Sequence, residues 1–246
     1  SGYEPVAKPT LSGEVVPTAV DVGEVIGYAW EVWKSNLGLL VGITVVVFGI
    51  SFGLSGVQNV VQLVFQQQGE EALAGVFGVT IWILNIVVQQ FLGIGQAHIA
   101  LKLLRRQRAE FGELFGGGSL FPRLLGAGIL AILAMMFGFA ACIIPGFLLM
   151  IFFWPFYWLI VDRKARAIES FGMARPIAKA NVGTAIVLYF ATAGIMLAGF
   201  LALCVGVLFA APLVSLIWGT AYLMMSGQLA TRPQYSNDPS ASPFAP

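Results

Sequence analysis

The segment "LLGAGILAILAMMFGFAACIIPGFLLMIFFWPFYWLIV", residues 124–161, contains no charged side chain, and "DRKAR", residues 162–166, follows it directly. An apolar helix needs about 20 residues to cross a bilayer, and this segment is long enough for two. Pro145 lies near its middle, and proline suits the first turn of a following helix, where its missing N–H has no partner. The segment therefore predicts a hairpin of two membrane-spanning helices.

Three further charge-free windows, residues 35–69, 72–101 and 180–231, extend this pattern over most of the chain. The first two are each expected to hold one helix, and the third a second hairpin that turns near Gly206. Only 10% of the residues are charged, against about 25% in soluble domains, which predicts an all-α polytopic membrane protein. The six predicted spans are residues 37–60, 74–99, 123–143, 145–161, 182–204 and 207–227.

The two ends of the chain differ from this membrane domain, which is predicted to occupy residues 21–230. Residues 1–20 are polar and lack the apolar core of a signal peptide. Residues 231–246 are rich in Pro and Ser and are expected to form a flexible tail. The net charge of +1 gives no general attraction to nucleic acid, so no nucleic-acid partner is expected.

The distribution of basic residues predicts the topology. All thirteen Lys and Arg can be placed on one side of the membrane, whereas the other side has short connections that carry only Glu70 and Glu71. By the positive-inside rule, both termini are predicted to be cytoplasmic. Six of the basic residues are candidate contacts for anionic lipid headgroups, although topology alone explains most of the clustering: Lys34, Arg105, Arg106, Arg163, Lys164 and Lys179.

An internal repeat precedes two of the predicted hairpins. "EVIGYAWEVWKSNLG", residues 24–38, and "ESFGMARPIAKANVG", residues 169–183, agree at six of fifteen positions without a gap, and residues 109–126 form a weaker third copy. Each copy is predicted to be a short amphipathic helix at the cytoplasmic interface that leads into a hairpin, which gives three such units. The alternative is that interfacial segments resemble each other through composition alone.

Local patterns refine this repeat. Five apolar residues of the first copy fall at helical spacing and predict a stripe that faces lipid. Asn36 and Asn181 stand where a helix N-cap is expected. The stripe consists of Val25, Tyr28, Ala29, Val32 and Trp33.

The order of these motifs resembles a known family. "VGEVIGYAWEVWKSNLGLL", "GIGQAHIALKLLRRQRAEFGELF", "IIPGFLLMIFFWPFYWLIVDRKARAIESF" and "AAPLVSLIWGTAYLMM" resemble, over residues 21–225, a broad family of six-helix bacterial inner-membrane proteins of unknown function. The chain is also similar to the membrane domain that precedes some glycerophosphodiester phosphodiesterases. This resemblance implies a multi-pass protein of the bacterial inner (cytoplasmic) membrane and a weak link to lipids, but it carries no catalytic residues.

Enzyme chemistry finds little support in the sequence. His98 is the single histidine, and no zinc-binding HExxH motif, phosphate-binding loop or pair of acids within a span is present. A metal site needs several converging ligands, so a structural or interfacial role for His98 is favoured. No cofactor and no metal are expected. The spans also lack the ionisable groups that proton-coupled transport requires.

Asn85, Gln89 and Gln96 share one face of the second predicted span. Hydrogen bonding between helices explains such amides best and contributes about 0.6 kcal/mol for each bond. The alternative is a polar path for a neutral or amphiphilic solute. This alternative predicts that replacing these side chains abolishes a flux while the fold stays intact.

A row of glycines, which we call the glycine seam, runs along one face of the first predicted span. It consists of Gly38, Gly42, Gly49 and Gly53, and Gly56 continues it. Glycine lets helix backbones approach closely. The seam is expected either to pack within the bundle or to dock another subunit, and the sequence does not separate the two. Cys142 and Cys204 are both predicted near the outer side, where an oxidising compartment permits a disulfide, although two free, buried cysteines are the favoured interpretation.

Together these features favour a non-enzymatic scaffold or accessory subunit. Its expected partners are membrane lipids and either other membrane protein subunits or a second copy of the chain. A transporter or channel for a neutral or amphiphilic solute is the alternative, and a lipid-related role rests on the family resemblance alone.

Overall fold

The computed structural model describes residues 10–11, 15–141, 143–202 and 205–230. About 85% of them are helical, so the chain is all-α apart from one pair of two-residue strands. The elements are, in chain order, β1 (Thr10–Leu11), α1 (Val22–Ser35), α2 (Leu37–Gln67), α3 (Glu71–Leu104), a 3₁₀ helix (Phe111–Ser119), α4 (Phe121–Ala141), α5 (Ile143–Phe153), α6 (Pro155–Val161), α7 (Ala167–Ala180), α8 (Val182–Leu201), α9 (Val205–Met225) and β2 (Leu229–Ala230).

Five of these helices are long and apolar enough to cross a membrane: α2, α3, α4, α8 and α9. The expectation of a multi-pass helical protein is confirmed in this form. The fourth predicted span, residues 145–161, differs, because its chain is interrupted at Trp154 between α5 and α6. Pro155 causes the interruption, since it offers no N–H to the preceding turn and its ring crowds the carbonyl four residues back.

The first hairpin, α2 with α3, is longer than predicted. Predicted spans 37–60 and 74–99 correspond to helices of 31 and 34 residues. At about 1.5 Å per residue these helices are about 46 and 51 Å long, well beyond the roughly 30 Å of a hydrocarbon core. Towards the turn between them the two helices contact mainly each other, with Phe65 stacked on Phe77 at 5.1 Å between ring centroids.

The turn of the last hairpin also differs from expectation. Gly206 is not a turn residue but lies within α9, where a Cβ atom would meet the backbone of Gly199 at 2.6 to 2.8 Å. The α8 helix ends at Leu201, and α9 begins at Val205. Cys142 and Cys204 lie outside the described residues, as does the predicted tail 231–246.

The amphipathic helix α1 is present, but its apolar face does not face lipid. Val25, Ala29 and Val32 are fully buried and Tyr28 is nearly so, because this face packs against α9 and the end of α3. Trp33 is half-buried, and its Nε1 donates to the carbonyl oxygen of Phe209 at 3.2 Å. The helical period of the stripe was predicted correctly. The prediction that lipid covers the stripe was wrong, because other helices of the protein cover it.

Each of the three short helices packs mainly on one other helix. The 3₁₀ helix packs on α3, α7 packs on α6, and α1 packs on α9. Each of the first two therefore lies on the helix that ends just before it in the chain, while α1 lies on the last long helix. Among the candidate spans, α9 is the most deeply buried.

The repeated asparagines adopt one conformation but do not cap as expected. Asn36 has φ −127° and ψ 23°, and Asn181 has φ −132° and ψ 27°. In both, Nδ2 donates backwards to the carbonyl four residues earlier, that of Val32 or Ile177. Neither side chain caps the helix that follows. Each asparagine instead ends the preceding helix at a sharp corner.

The end of the N-terminal segment is structured too. β1 pairs antiparallel with β2. The N–H groups of Val16 and Thr18 donate to the carbonyl oxygens of Ser226 and Met225. The chain thus runs beside the end of α9 before α1 begins, although the sequence predicted only a polar segment.

Candidate functional site

The helices α3, α6 and α9 end in the same way. At each end, one residue has a positive φ: 57° at Arg106, 58° at Arg163 and 69° at Gly227. The next residue's N–H reaches back five positions to a carbonyl, and the positive-φ residue's own N–H reaches back three. This Schellman arrangement satisfies helix carbonyls that would otherwise lack donors. We call the region where these three ends meet the basic end of the bundle.

The side chains next to these turns form one buried polar network. The guanidinium of Arg105 contacts the carboxylate of Asp162 at 2.7 Å and donates to Oε1 of Gln228 at 2.9 Å. The hydroxyl of Tyr222 donates to the same carboxylate at 2.9 Å and accepts from Nε2 of Gln228. The Asp162 side chain is only 5% exposed. The network therefore ties the ends of α3, α6 and α9 together.

Electrostatics explains why a cation belongs here. A helix C-terminus carries a partial negative charge, and three of them meet at the basic end together with the carboxylate of Asp162. Arg105 supplies the compensating charge, and its planar fork can serve two acceptors at once. Each side chain in the network has at least one partner within it, so the network cross-links the three helix ends.

The six predicted headgroup contacts differ in their surroundings. Arg105 is engaged in the network, so its guanidinium already has protein partners. Arg106 contacts Glu31 at 3.3 Å and covers the Tyr28 ring at 5.2 Å. Arg163 reaches the hydroxyl of Ser119 at 3.5 Å. Of the remaining three, Lys164 is half-buried, whereas Lys34 and Lys179 are exposed at the ends of α1 and α7.

Tyr28 joins α1 to the basic end. Its hydroxyl donates to the carbonyl oxygen of Leu104 at 2.7 Å, and its side chain is almost fully buried. Burial raises the pKa of Tyr28 above its usual value, while the neighbouring Arg106 opposes part of that rise. The hydroxyl therefore remains a proton donor at neutral pH.

The glycine seam lies on the outer face of α2. At about 100° per residue, its glycines point on average about 150° away from the buried residues Leu40, Ile43 and Val47. A Cβ atom added to any of them would meet no described atom within 4 Å. The seam therefore takes no part in packing among the described residues. The seam residues are Gly38, Gly42, Gly49, Gly53 and Gly56.

The polar face of α3 lies against α2. Gln89 donates a short hydrogen bond to the hydroxyl of Ser51. Gln96 lines a cavity of about 60 Å³ among α2, α3 and α9, together with Thr44 and Ser215. Asn85 is half-buried and makes no hydrogen bond to another described residue. The predicted amides therefore do different things: one joins two helices, and one lines a space.

That cavity has three polar side chains in a mostly apolar lining and lies beside a helix irregularity. Neither the Gln96 amide nor the Ser215 hydroxyl bonds to a described residue, while Thr44 donates to the carbonyl of Leu40 at 2.8 Å. Pro212, which also lines the cavity, interrupts the hydrogen-bond ladder of α9. A space of this size with polar groups in its lining holds a few water molecules.

His98 lies on α3 close to charged groups rather than in a ligand cluster. Glu113 and Lys102 both influence it electrostatically, and they contact each other at 2.6 Å. Within the described ranges, no three His, Cys, Asp or Glu side chains lie together as a metal site would require.

The network at the basic end was missed in the sequence. No pattern in residues 101–107, 158–164 and 222–228 indicates that Arg105, Asp162, Tyr222 and Gln228 would meet. Comparison with protein-family models, with curated proteins and with solved structures found no match to this chain.

Proposed function

We propose that the chain is a non-enzymatic scaffold or accessory subunit of the bacterial inner membrane. It consists of three units, each a short interfacial helix followed by a transmembrane hairpin, with both termini in the cytoplasm. In this proposal α5 and α6 together make the sixth crossing, since the apolar run from Leu149 to Val161 continues across the break. The convergence of the ends of α3, α6 and α9 in one polar network supports the three-unit arrangement.

The observation that carries the proposal is the outward glycine seam. Glycine costs about 1 kcal/mol relative to alanine at each helix position, and five such positions on a face without a partner would only weaken α2. Glycines aligned on one helix face allow a second helix to approach closely. A second membrane helix, from another subunit or another copy of the chain, would offset that cost.

The form of the first hairpin adds to this proposal. Its outer part is exposed on nearly every side: Phe52 is 72% exposed, Val76 63% and Trp82 56%. The rest of the bundle covers mainly the portion nearest the basic end. A long hairpin that stands away from its own bundle offers both helices to neighbours in the bilayer.

The first prediction concerns the seam. Replacing Gly42 and Gly49 together by Leu is expected to leave the fold intact, because nothing described lies in front of either position, and to remove association by blocking close approach. The measurement is the mass of the complex purified from native membranes in mild detergent, with thermal unfolding of the isolated chain as the check on folding.

The control for this prediction is Gly126→Leu with Gly194→Leu. These two glycines lie on α4 and α8 and are equally open, so the control should fold and still associate. If the seam variant and the control retain the same partners, or if both lose them, the seam is not a docking surface.

One observation favours a second candidate function, the passage of a small neutral solute. The cavity at Gln96 has three polar side chains in its lining, and an open, largely apolar recess of about 290 Å³ beside Gln89 and Ser51 lies further along the same hairpin. A few polar groups in otherwise apolar spaces along one helix pair would suit a small neutral solute.

Flux through liposomes separates the two candidates. The transport candidate predicts that Gln96→Leu lowers glycerol or urea flux at least about tenfold. The leucine side chain would occupy the cavity that Gln96 lines and would remove the hydrogen-bonding amide of Gln96. Gln90→Leu is the control, since Gln90 lies near Gly128 on α4 rather than at the cavity. The scaffold proposal predicts no flux above that of protein-free liposomes for any variant.

A further inference from the structure

An open groove lies at the corner between α1 and α2, on the side of the basic end. Its volume is about 390 Å³, and we call it the corner groove. One wall is Asn36, and the other is the loop that leads from α3 to the 3₁₀ helix. The lining residues are Asn36, Leu103, Arg106, Gln107, Arg108, Ala109 and Glu110.

The equivalent corner in the second copy of the repeat is filled by the chain itself. At the matching corner between α7 and α8, Asn181 accepts from the N–H of Val20 at 2.9 Å and donates to the carbonyl of Thr18 at 2.8 Å. Thr18 to Val20 directly precede α1, as Gln107 to Ala109 precede the 3₁₀ helix. The chain therefore fills one corner and leaves a space at the other, although the two asparagines have the same backbone conformation.

The charges around the corner groove suit an anion. Arg106 is held in place by Glu31 and by the Tyr28 ring. Arg108 is exposed and makes no ion pair or hydrogen bond with a described residue. Glu110 is the one acidic side chain of the lining, and it opposes an anion. The groove thus holds one guanidinium that is positioned and one that has no partner among the described residues.

The start of α2 adjoins the corner groove, because Asn36, which lines the groove, directly precedes Leu37. The side chain of Asn36 turns backwards, so the first turn of α2 has no side-chain cap. Uncapped N–H groups and the positive end of a helix favour an anion, here in addition to two guanidinium groups.

We propose that the corner groove binds a phosphate group, with Arg108 as its main ligand. Guanidinium presents paired N–H donors that match the oxygens of phosphate. The phosphate belongs either to a phospholipid headgroup or to a soluble phosphate, because the chemistry of recognition is the same. This site does not depend on the scaffold role, since the glycine seam lies on another surface.

Two variants test the site in opposite directions. Arg108→Gln is expected to weaken binding about fivefold or more, the effect of one basic residue at an anionic surface. Glu110→Gln is expected to strengthen it, because it removes the opposing charge and Glu110 makes no capping hydrogen bond. Arg175→Gln is the matched control, since Arg175 is equally exposed on α7 beside the corner that is closed.

The measurement has two arms. Native mass spectrometry follows retention of phosphatidylglycerol against phosphatidylcholine, and calorimetry in detergent follows inorganic phosphate. Retention of the lipid without phosphate binding assigns a headgroup, whereas phosphate binding without lipid preference assigns a soluble ligand; both support the site provided that Arg108→Gln reduces them. Binding in neither arm, or equal effects of Arg108→Gln and Arg175→Gln, would overturn it.

Discussion

Arg105→Ala is expected to destabilise the fold by about 3–5 kcal/mol, because removing one partner of a buried ion pair leaves the other charge without compensation. The remaining carboxylate, that of Asp162, is 5% exposed and lies where three helix ends meet. Tyr222 alone cannot neutralise it. The measurement is unfolding in mixed micelles with increasing SDS, followed by circular dichroism.

Lys102→Ala is the control for this prediction. Lys102 also forms an ion pair, with Glu113, but the two side chains are 30% and 26% exposed. Such a partly solvated pair contributes about 0–1 kcal/mol. Equal destabilisation by the two variants would show that the network at the basic end does not join the helices as described.

Gly95→Ala is expected to produce the second large effect, a loss of about 3 kcal/mol of stability from overpacking. A methyl group at Gly95 would overlap the carbonyl oxygen of Leu114, which belongs to the 3₁₀ helix. A backbone atom cannot move aside as a flexible side chain can. The 3₁₀ helix would therefore separate from α3, and protease sensitivity between residues 105 and 120 should rise with the loss of stability.

Gly93→Ala, two residues earlier on α3, should not lower the stability of the fold. Its methyl group would meet only the hydroxyl of Tyr157 at an ordinary 3.5 Å. Alanine is favoured over glycine in a helix by about 1 kcal/mol, so this variant should be neutral or slightly stabilised. If Gly95→Ala and Gly93→Ala lost the same stability, the close approach of Leu114 would not be the reason why position 95 requires glycine.

Some elements were predictable from local pattern. The charge-free windows placed α2, α3, α4, α8 and α9, because a helix in lipid must satisfy its own backbone hydrogen bonds and needs a long apolar run. The repeat of residues 24–38 at 169–183 placed two short helices that end at Asn36 and Asn181. The lengths of α2 and α3 were underestimated, because polar residues such as Gln66 and Lys102 remain helical beyond the predicted spans.

Other features needed the tertiary structure. The apolar stripe of α1 has the same spacing whether lipid or protein covers it, so the pattern alone could not identify α9 as its partner. The glycine seam could equally have faced the bundle interior. Its direction follows from which side of α2 carries Leu40 and Val47, and therefore from where α9 lies.

The sequence by itself determined that this chain is a helical membrane protein, where its long helices lie and where its basic residues cluster. These properties are local, because the bilayer acts on each segment separately. Only the tertiary structure decided that Arg105 meets Asp162 and Gln228, which are 57 and 123 residues away. It also decided that one of two equivalent corners is open. Both outcomes depend on how distant helix ends converge, and no single segment carries that information.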